Sequence, residues 1–304
     1  MIRTDSRMLL ASAALLGAVT ACKKDQTACA GGSGGSGVIA FASTRNLGQY
    51  DIFTMNADGS GVTKITSDLG SDLWPAWSHD GTKLAYESDV LGAGDTVVNL
   101  NVFTSNADGT SPVQLTSDTL GEGQPAWSPD GTRIAFVSDS SGFLNIYVMN
   151  ANGSGLRRLT SDSANDAMPA WSPDGGHIAF ASDRGTIPGH AAIFVMDTLG
   201  GGVTRLTPDS ATNLGPAWSP DGAKIAYYSD RAGQFEIWIM NANGTSPAQF
   251  TYNAAPAELP SWSPDQTRIA YDANGEIFVQ YLDGRPGAQL TCSNDLDIEA
   301  RWHP

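Results

Sequence analysis

Cysteine, histidine and basic residues are scarce in this chain of 304 residues. Three cysteines and four histidines leave few ligands for a zinc or redox centre. Only 17 lysines and arginines stand against 32 aspartates and glutamates, which gives a formal charge of −15. Because neutralisation of phosphate dominates nucleic-acid affinity, this balance argues against nucleic acid and against an anionic membrane surface as partners. A binding protein, a structural scaffold and a hydrolytic enzyme remain as function classes.

The N-terminus carries an apolar run that is too short to span a bilayer, MLLASAALLGAV over residues 8–19, preceded by two arginines. It leads into V-T-A-C at residues 19–22, which resembles the lipobox of bacterial lipoproteins. The resemblance implies a lipoprotein signal peptide over residues 1–21 and a lipid anchor on Cys22. The alternative is an ordinary secretory signal with an incidental cysteine. We expect an exported protein of the cell envelope, on the periplasmic side of or at the outer membrane.

Residues 22–37 are rich in glycine and serine and predict a flexible tether. A folded domain then occupies residues 38–304. In this interpretation the membrane is contacted only through the lipid anchor.

One pattern repeats through that domain, and its fullest copy is PAWSPDGTRIAFVSDSSGFLNIYVMNANGSGLRRLT over residues 125–160. A repeat of about 45 residues indicates a solenoid, a propeller or an array. The tryptophan of the motif recurs at Trp77, Trp127, Trp171, Trp218, Trp262 and Trp302. One tryptophan per repeat at a fixed place favours a packing role for these side chains.

Each repeat contains four short β-rich runs separated by turn signals. S-P-D-G at residues 128–131 fits a type I turn, and N-A-N-G at residues 150–153 is a second tight-turn signal. Four antiparallel strands per repeat predict the blade of an all-β propeller. Six second-strand motifs predict six blades. The chain begins with a second-strand motif and ends with a lone first-strand motif, so we expect the C-terminal strand to pair into the first blade and close the ring.

The repeat resembles the TolB-like, WD40-like β-propeller family, whose hallmark is P-x-W-S-P-D-G-x-x-I-A-F followed by I-Y-V-M-N-x-D-G and R-L-T. The resemblance covers residues 38–304. It implies a propeller that binds proteins in the cell envelope, with the Tol–Pal system as one expected setting. A TolB protein resembles a propeller preceded by an α/β domain, whereas here a short tether stands in that place.

Polar residues recur just before the first strand of each blade, in the loops that follow the fourth strands. We expect these loops to surround one mouth of the central channel, on the face that we call the top. Six side chains are predicted to form an acidic collar there: Asp72, Glu122, Asp166, Asn213, Glu258 and Asp297. Converging carboxylates attract a basic peptide or a cation such as Ca²⁺. The alternative is a set of solvated acids that cap their own turns. No cofactor is otherwise expected.

Trp74 lies outside the repeated motif, one residue before Pro75. We predict that it lies in a loop near the channel, as a ligand or partner contact or as a buried loop anchor. Cys29 and Cys292 are candidates for a disulfide, which export permits. Two free thiols are the alternative.

Catalysis finds little support in the motifs, because His79, His177, His190 and His303 lie in unrelated parts of the repeats. We therefore expect a monomeric binding module for an envelope protein or basic peptide. The alternatives are a propeller-fold hydrolase or lyase that acts on a carbohydrate or lactone with a divalent metal, and a purely structural lipoprotein.

Overall fold

The computed structural model describes residues 37–46, 48–67, 70–89, 99–117, 120–208 and 210–304. Within these residues the regular structure is β throughout, with 24 strands in six four-stranded antiparallel sheets. No helix in the described ranges is long and apolar enough to cross a membrane. The predicted signal peptide and the tether up to residue 36 lie outside the described residues.

Each sheet is one blade of a six-bladed propeller, as the repeat predicts. Blade 1 contains β24 (Asp297–Trp302), β1 (Val38–Asn46), β2 (Gln49–Asn56) and β3 (Thr63–Lys64). Blade 2 contains β4 (Asp72–Trp77), β5 (Lys83–Ser88), β6 (Asn101–Asn106) and β7 (Val113–Gln114). Blade 3 contains β8 (Glu122–Trp127), β9 (Arg133–Ser138), β10 (Asn145–Asn150) and β11 (Arg157–Arg158). Blade 4 contains β12 (Asp166–Trp171), β13 (His177–Ser182), β14 (Ala192–Asp197) and β15 (Thr204–Arg205). Blade 5 contains β16 (Asn213–Trp218), β17 (Lys224–Ser229), β18 (Glu236–Asn241) and β19 (Ala248–Gln249). Blade 6 contains β20 (Ala257–Trp262), β21 (Arg268–Ala273), β22 (Glu276–Tyr281) and β23 (Ala288–Gln289).

The ring closes through the last strand, which confirms the prediction. β24 pairs antiparallel with β1, and the register sets Ile39 opposite Trp302 and Ser43 opposite Asp297. The closing strand also contacts blade 2, where His303 Nε2 lies 3.2 Å from the carbonyl oxygen of Gly81. Closure of this kind removes the free sheet edge on which other chains would pair.

The second strand of each blade supplies most of the core. In β9 every residue after Arg133 is buried, because the sheet packs against a neighbouring blade on both of its faces. Aromatic rings stack between the second and third strands, as Phe136 and Tyr147 do with ring centres 5.8 Å apart. The apolar I-A-F-V run therefore places one hydrophobic layer between each pair of blades.

The predicted S-P-D-G turns close with the expected hydrogen bonds. Gly131 N donates to Ser128 O at 2.9 Å, which is the bond of a tight turn. Asp130 accepts from the Ser128 hydroxyl at 2.6 Å and from Thr132 N at 3.0 Å. The carboxylate thus satisfies the turn that its own sequence specifies.

Candidate functional site

The first strand of each blade, here called the inner strand, lines the propeller axis and carries a bulge. In β8 the pairing with β9 shifts register between Gly123 and Ala126. The third residue of each inner strand lies within the bulge and has a positive φ between 53° and 62°: Trp74, Gln124, Met168, Gly215, Leu259 and Glu299. Positive φ is unusual for residues other than glycine, and bulges of this kind re-aim the side chains beside them.

Side chains cap the bulges at four consecutive blade junctions. The N–H of Glu299 donates to Asp272 Oδ2 of blade 6 at 2.5 Å, and the N–H of Trp74 donates to Glu299 Oε2. The N–H of Gln124 donates to Glu87 Oε2 at 3.0 Å. At the fourth junction the N–H of Met168 donates to the Gln124 side chain at 2.8 Å. Each cap satisfies a buried backbone donor that the register shift removes from the strand ladder.

Burial raises the pKa of several acids near the propeller axis. Desolvation raises the pKa of Glu87 to about 8 and that of Asp272 to about 7. Desolvation also raises the pKa of Glu299 well above its usual range, and the nearby Glu87 adds to the rise. Glu258, opposite Asp272 in the strand register, is half-buried, and desolvation raises its pKa to about 6. The acidic side chains near the axis therefore carry less charge than their number implies.

An axial cavity of about 450 Å³ extends from the bulge layer to the S-P-D-G turns. Its wall is made by the P-A-W segments, and the prolines of the turns surround its mouth. The strand prolines in the wall are Pro75, Pro125, Pro169, Pro216 and Pro260, and all six repeat tryptophans line the cavity. The volume lies within the range of ligand pockets, and the wall is predominantly apolar as such pockets are.

The repeat tryptophans also join neighbouring blades. The indole N–H of Trp171 donates to Ala126 O of the preceding blade at 3.1 Å. Trp302 packs in the core beneath the Arg268 guanidinium, which lies 4.7 Å from the ring centre. The packing role predicted for these residues therefore coexists with a place in the cavity wall.

The loop predicted around Trp74 is wrong, because Trp74 lies inside β4 at the bulge position. It is buried and lines the inner end of the axial cavity. The error arises because aligning the repeats on P-A-W hides the residue that precedes the proline. A ligand or partner contact for Trp74 stays a prediction.

The predicted acidic collar differs from the structure. Asp72, Glu122, Asp166, Asn213 and Asp297 are the first residues of their inner strands and are between 0 and 4 % exposed, and only Glu258 is half-buried. Arginines at or just after the end of the second strand bind three of them: Arg184 lies 2.6 Å from Asp166, Arg45 lies 2.7 Å from Asp297, and Arg231 donates to Asn213 at 2.8 Å. These side chains organise their own blades and do not form an exposed ring. A role for them in binding a cation or partner stays a prediction.

Arg301 is the charged side chain in the cavity that sequence reasoning missed. It occupies the fifth position of β24, where four inner strands have alanine and β20 has Ser261. The guanidinium lies 5.9 Å from the Trp74 ring centre, and its Nη1 donates to Ala300 O at 3.0 Å. Desolvation lowers its pKa, while the charges of Asp272 and Glu299 oppose that change. The available signal was the sequence D-I-E-A-R-W, in which arginine replaces the alanine of P-A-W.

Two of the four histidines line the same cavity mouth, although they lie in unrelated parts of the repeats. His79 and His303 both line it, and the His303 ring packs against Trp77 with centres 4.7 Å apart. Within the described ranges, no three His, Cys, Asp or Glu side chains are arranged to hold a metal ion. The cavity therefore offers shape and hydrogen-bond donors as its main binding features.

Cys292 is disulfide-bonded. The other two cysteines of the chain, Cys22 and Cys29, lie outside the described residues. The pairing of Cys29 with Cys292 stays a prediction, as does the lipid anchor on Cys22.

Similarity to known proteins agrees with this architecture. The chain matches the TolB beta propeller domain over residues 99–189 and 186–304. TolB from Acinetobacter baumannii has a similar structure, with 25% sequence identity and a TM-score of 0.74 over 88% of this chain and 67% of that chain. A putative TolB from Agrobacterium tumefaciens shares 22% identity, with a TM-score of 0.69 over 89% of this chain and 100% of that chain.

A Kuenenia stuttgartiensis hydrazine synthase has a TM-score of 0.72 at 14% identity, over 89% of this chain and 47% of that chain, which is a likeness of fold alone. No curated protein sequence matches the chain. Because the matched residues make up more than half of the chain, and the six closed blades carry the motif throughout, the chain belongs to the TolB β-propeller family.

Proposed function

We propose that this protein is a binding module of the cell envelope that accepts a polypeptide segment of its partner in the axial cavity. Membership of the TolB propeller family supports a protein partner and an envelope location in general terms. The observation that carries the proposal is the cavity of about 450 Å³, walled by proline and tryptophan from the blades. Aromatic and proline-lined pockets suit extended peptide segments, because flat apolar rings pack against them at little entropic cost.

The proposed partner approaches the face that carries the S-P-D-G turns. That is the opposite face from the predicted acidic collar, whose side chains are mostly buried in their blades. The collar therefore gives little support to a cationic partner at the top face. A divalent cation is not part of the proposal, and we expect calorimetric titration of the protein with Ca²⁺ to give no binding heat at the collar.

We further propose that the propeller is exported, anchored by a lipid on Cys22 and displayed as a monomer at the outer membrane. The lipobox-like V-T-A-C sequence and the tether support this arrangement. Mass spectrometry of the membrane fraction is expected to find an acylated Cys22, and Cys22→Ser is expected to release the protein into the soluble fraction. An unmodified Cys22 in a membrane-free protein would contradict the anchor and leave the cavity proposal intact.

Site-specific photo-crosslinking in cells tests the cavity directly. A benzophenone amino acid replaces His79, which is exposed at the cavity mouth, and in a control it replaces Leu199, which is 73% exposed in an outer turn. We expect one discrete adduct with another envelope protein from position 79 and none from position 199. The same adduct pattern at both positions, or no adduct at position 79, would refute a partner in the cavity.

The metal-dependent hydrolase or lyase alternative gains no supporting group from the described residues. Neither a cluster of metal ligands nor an acidic pair lies in the cavity wall. The binding module is therefore the function that the cavity supports best.

A further inference from the structure

The axial cavity is apolar on most of its circumference and polar on one side. Its fifth-position residues are alanine in blades 2, 3, 4 and 5, but Ser261 in blade 6 and Arg301 in blade 1. Blades 6 and 1 are neighbours, because β21 contacts β24. The Ser261 hydroxyl also reaches the closing strand, because its oxygen accepts from the N–H of Trp302, the residue after Arg301, at 3.0 Å. The two polar fifth positions therefore lie side by side.

Arg301 has donors to spare. A guanidinium offers five N–H groups, and within the ranges that the structure describes this one donates a single hydrogen bond, from Nη1 to Ala300 O. Among the described residues no carboxylate oxygen lies within 4.0 Å of it. The residue is half-buried and lines the cavity. A guanidinium held partly away from water without an ion-pair partner is costly unless a ligand or water supplies acceptors.

Two other side chains that line the cavity have free donors, Gln124 on blade 3 and Ser261 on blade 6. Gln124 lines the cavity and is 2% exposed; its side-chain oxygen accepts from Met168 N, while its Nε2 has no partner within the described part of the chain. The Ser261 hydroxyl uses its oxygen as an acceptor and keeps its hydrogen for donation. The wall thus has an excess of donors, and a complementary ligand brings acceptors.

The acids near Arg301 leave its charge only partly balanced at neutral pH. Those that affect it are Asp272 on β21 and Glu299 on its own strand, with the Tyr228 hydroxyl on β17. Asp272 and Glu299 do not line the cavity, and both are buried. Burial raises the pKa of each, so at neutral pH a part of this carboxyl population is protonated. Arg301 is consequently the charged group that faces the cavity from this side.

The geometry points to the C-terminal carboxylate of a partner polypeptide as the ligand of this polar side. Arg301 and Ser261 bind the carboxylate. The last residues of that polypeptide pack along the proline and tryptophan wall. A carboxylate matches the planar fork of a guanidinium through two parallel hydrogen bonds. Arg301 and Ser261 lie in the wall of the axial cavity between the bulge layer and the turns, so a chain end that enters from the turns can reach them. This inference rests on the proposed function, because it names which part of the partner enters the cavity.

A paired peptide library tests carboxylate recognition on the full chain. N-acetylated random pentapeptides are prepared as free acids and as C-terminal amides, and the bound fraction of each is measured by affinity selection and mass spectrometry. We expect the free acids to be retained at least about tenfold better, because a charge-assisted hydrogen bond pair is lost in the amides. Equal retention of the two forms, or retention of neither, overturns the carboxylate proposal. This comparison needs no variant and therefore does not depend on how a substitution folds.

Two variants test whether Arg301 and Ser261 cause the preference for free acids, and each introduces the alanine that the other four blades have at this position. Arg301→Ala is expected to abolish the preference for free acids, and Ser261→Ala is expected to reduce it several-fold. The control is Arg285→Ala in the turn between β22 and β23, whose side chain is 61% exposed and pairs with Asp283, so that the same charge is removed outside the cavity. We expect this control to keep the full preference. A preference that survives Arg301→Ala contradicts the site.

Two further outcomes distinguish failure of the carboxylate inference from failure of the proposed function. If acids and amides bind equally while position 79 still crosslinks a partner, the cavity binds polypeptide and the carboxylate assignment is wrong. If decanoate, a carboxylate with a purely apolar body, binds more tightly than every free-acid peptide, the occupant is not a chain end, and the inference is overturned. Selective retention of free-acid peptides over both amides and decanoate supports it.

Discussion

The closing inner strand β24 has the same backbone conformation as the five other inner strands but different side chains. All six have the bulge and a third residue with positive φ. Five continue with proline and then alanine or serine, whereas β24 has Glu299 at its third position and continues with Ala300 and Arg301. The difference concentrates ionisable groups at one junction of an otherwise regular ring. It shows that a repeat fold can keep its geometry on every blade and confine its chemistry to the strand that closes the circle.

The same strand β24 also stabilises the fold. It joins the two ends of the chain through its pairing with β1, and it holds blade 6 and blade 2 through the caps on Glu299 N and Trp74 N. A change in β24 therefore tests closure and site chemistry together, while the equivalent change in another inner strand tests the repeat alone.

Deletion of residues 299–304 should have the largest effect. It removes the Trp302 side chain from the core, the pairing of Ile39 with Trp302, and the contact of His303 with blade 2. The loss of several kcal/mol corresponds to a fall in melting temperature of at least about 10 °C for a domain of this size. Circular dichroism measures the transition. Deletion of residues 303–304 alone is the control and should lower the melting temperature far less; an unchanged melting temperature for the longer deletion would contradict closure by β24.

The fold was predictable from sequence because the repeat is regular at the level that determines strands and turns. The Pro-Asp-Gly turns, the I-A-F strands and the lone C-terminal motif each impose local geometry through proline φ, glycine φ and burial. The six blades and their closure follow from repeating that unit. The residue at which each inner strand begins could not be predicted from the repeat, because an aspartate such as Asp166 or Asp297 is equally common in the loop before a strand.

The site is formed by contacts between side chains from different strands, and the repeat motif alone does not specify these contacts. Asp166 lies opposite Ser182 in the ladder and meets Arg184 two residues later, so S-D-R was a usable signal for a buried ion pair. The bulge at Trp74 could not be predicted from the sequence, because φ at that position is determined by the register shift and not by residue type. Arg301 was readable in principle, as the one charge at an alanine position of the motif. It was missed because a terminal repeat is expected to be atypical.

Trp302→Ala should be the next largest change, and it compares the closing blade with a regular one. Trp302 is buried in the core cluster that joins blades 1 and 6, so its removal is expected to cost about 3–5 kcal/mol. Trp218→Ala, at the same position of β16, removes a half-buried side chain and should cost less. Urea unfolding monitored by circular dichroism gives both free energies. Equal costs would show that closure adds nothing to the packing of this tryptophan.

Glu87→Gln should flatten the dependence of stability on pH. Burial raises the folded-state pKa of Glu87 from 4.5 to about 8, so between these values the folded protein binds more protons than the unfolded chain. Stability therefore falls as pH rises through this window, by a few kcal/mol in order of magnitude for this one group. Glutamine keeps an oxygen that can accept from Gln124 N and has no proton to lose. Urea midpoints at pH 6 and pH 9 should differ less in the variant than in the wild type.

Asp80→Asn is the matched control for this pH test. Hydrogen bonds from Ser78 and Thr82 lower the pKa of Asp80 to about 2, so its contribution to stability is present above the usual carboxyl pKa and is lost only in acid. This exchange should leave the difference between pH 6 and pH 9 unchanged. A Glu87→Gln protein that loses as much stability as the wild type over that range would show that Glu87 is ionised throughout it.

Ala300→Pro should have the smallest effect, because it gives the closing strand the proline of the other five. The residue before the new proline already has the conformation seen in the other blades: Glu299 has φ of 62°, close to the 53° to 58° of the residues that precede the other prolines. The cost is the hydrogen bond from Ala300 N to Asp272 Oδ1, 3.3 Å long, which proline cannot donate. Because Glu299 N still caps Asp272, we expect a loss of about 1 kcal/mol in urea unfolding, and a further rise in the pKa of Asp272. The reverse exchange in β20, Pro260→Ala, should cost no more than about 1 kcal/mol, through the freedom that it adds to the unfolded chain. A loss of several kcal/mol on Ala300→Pro would mean that β24 differs from the other inner strands in backbone as well as in chemistry.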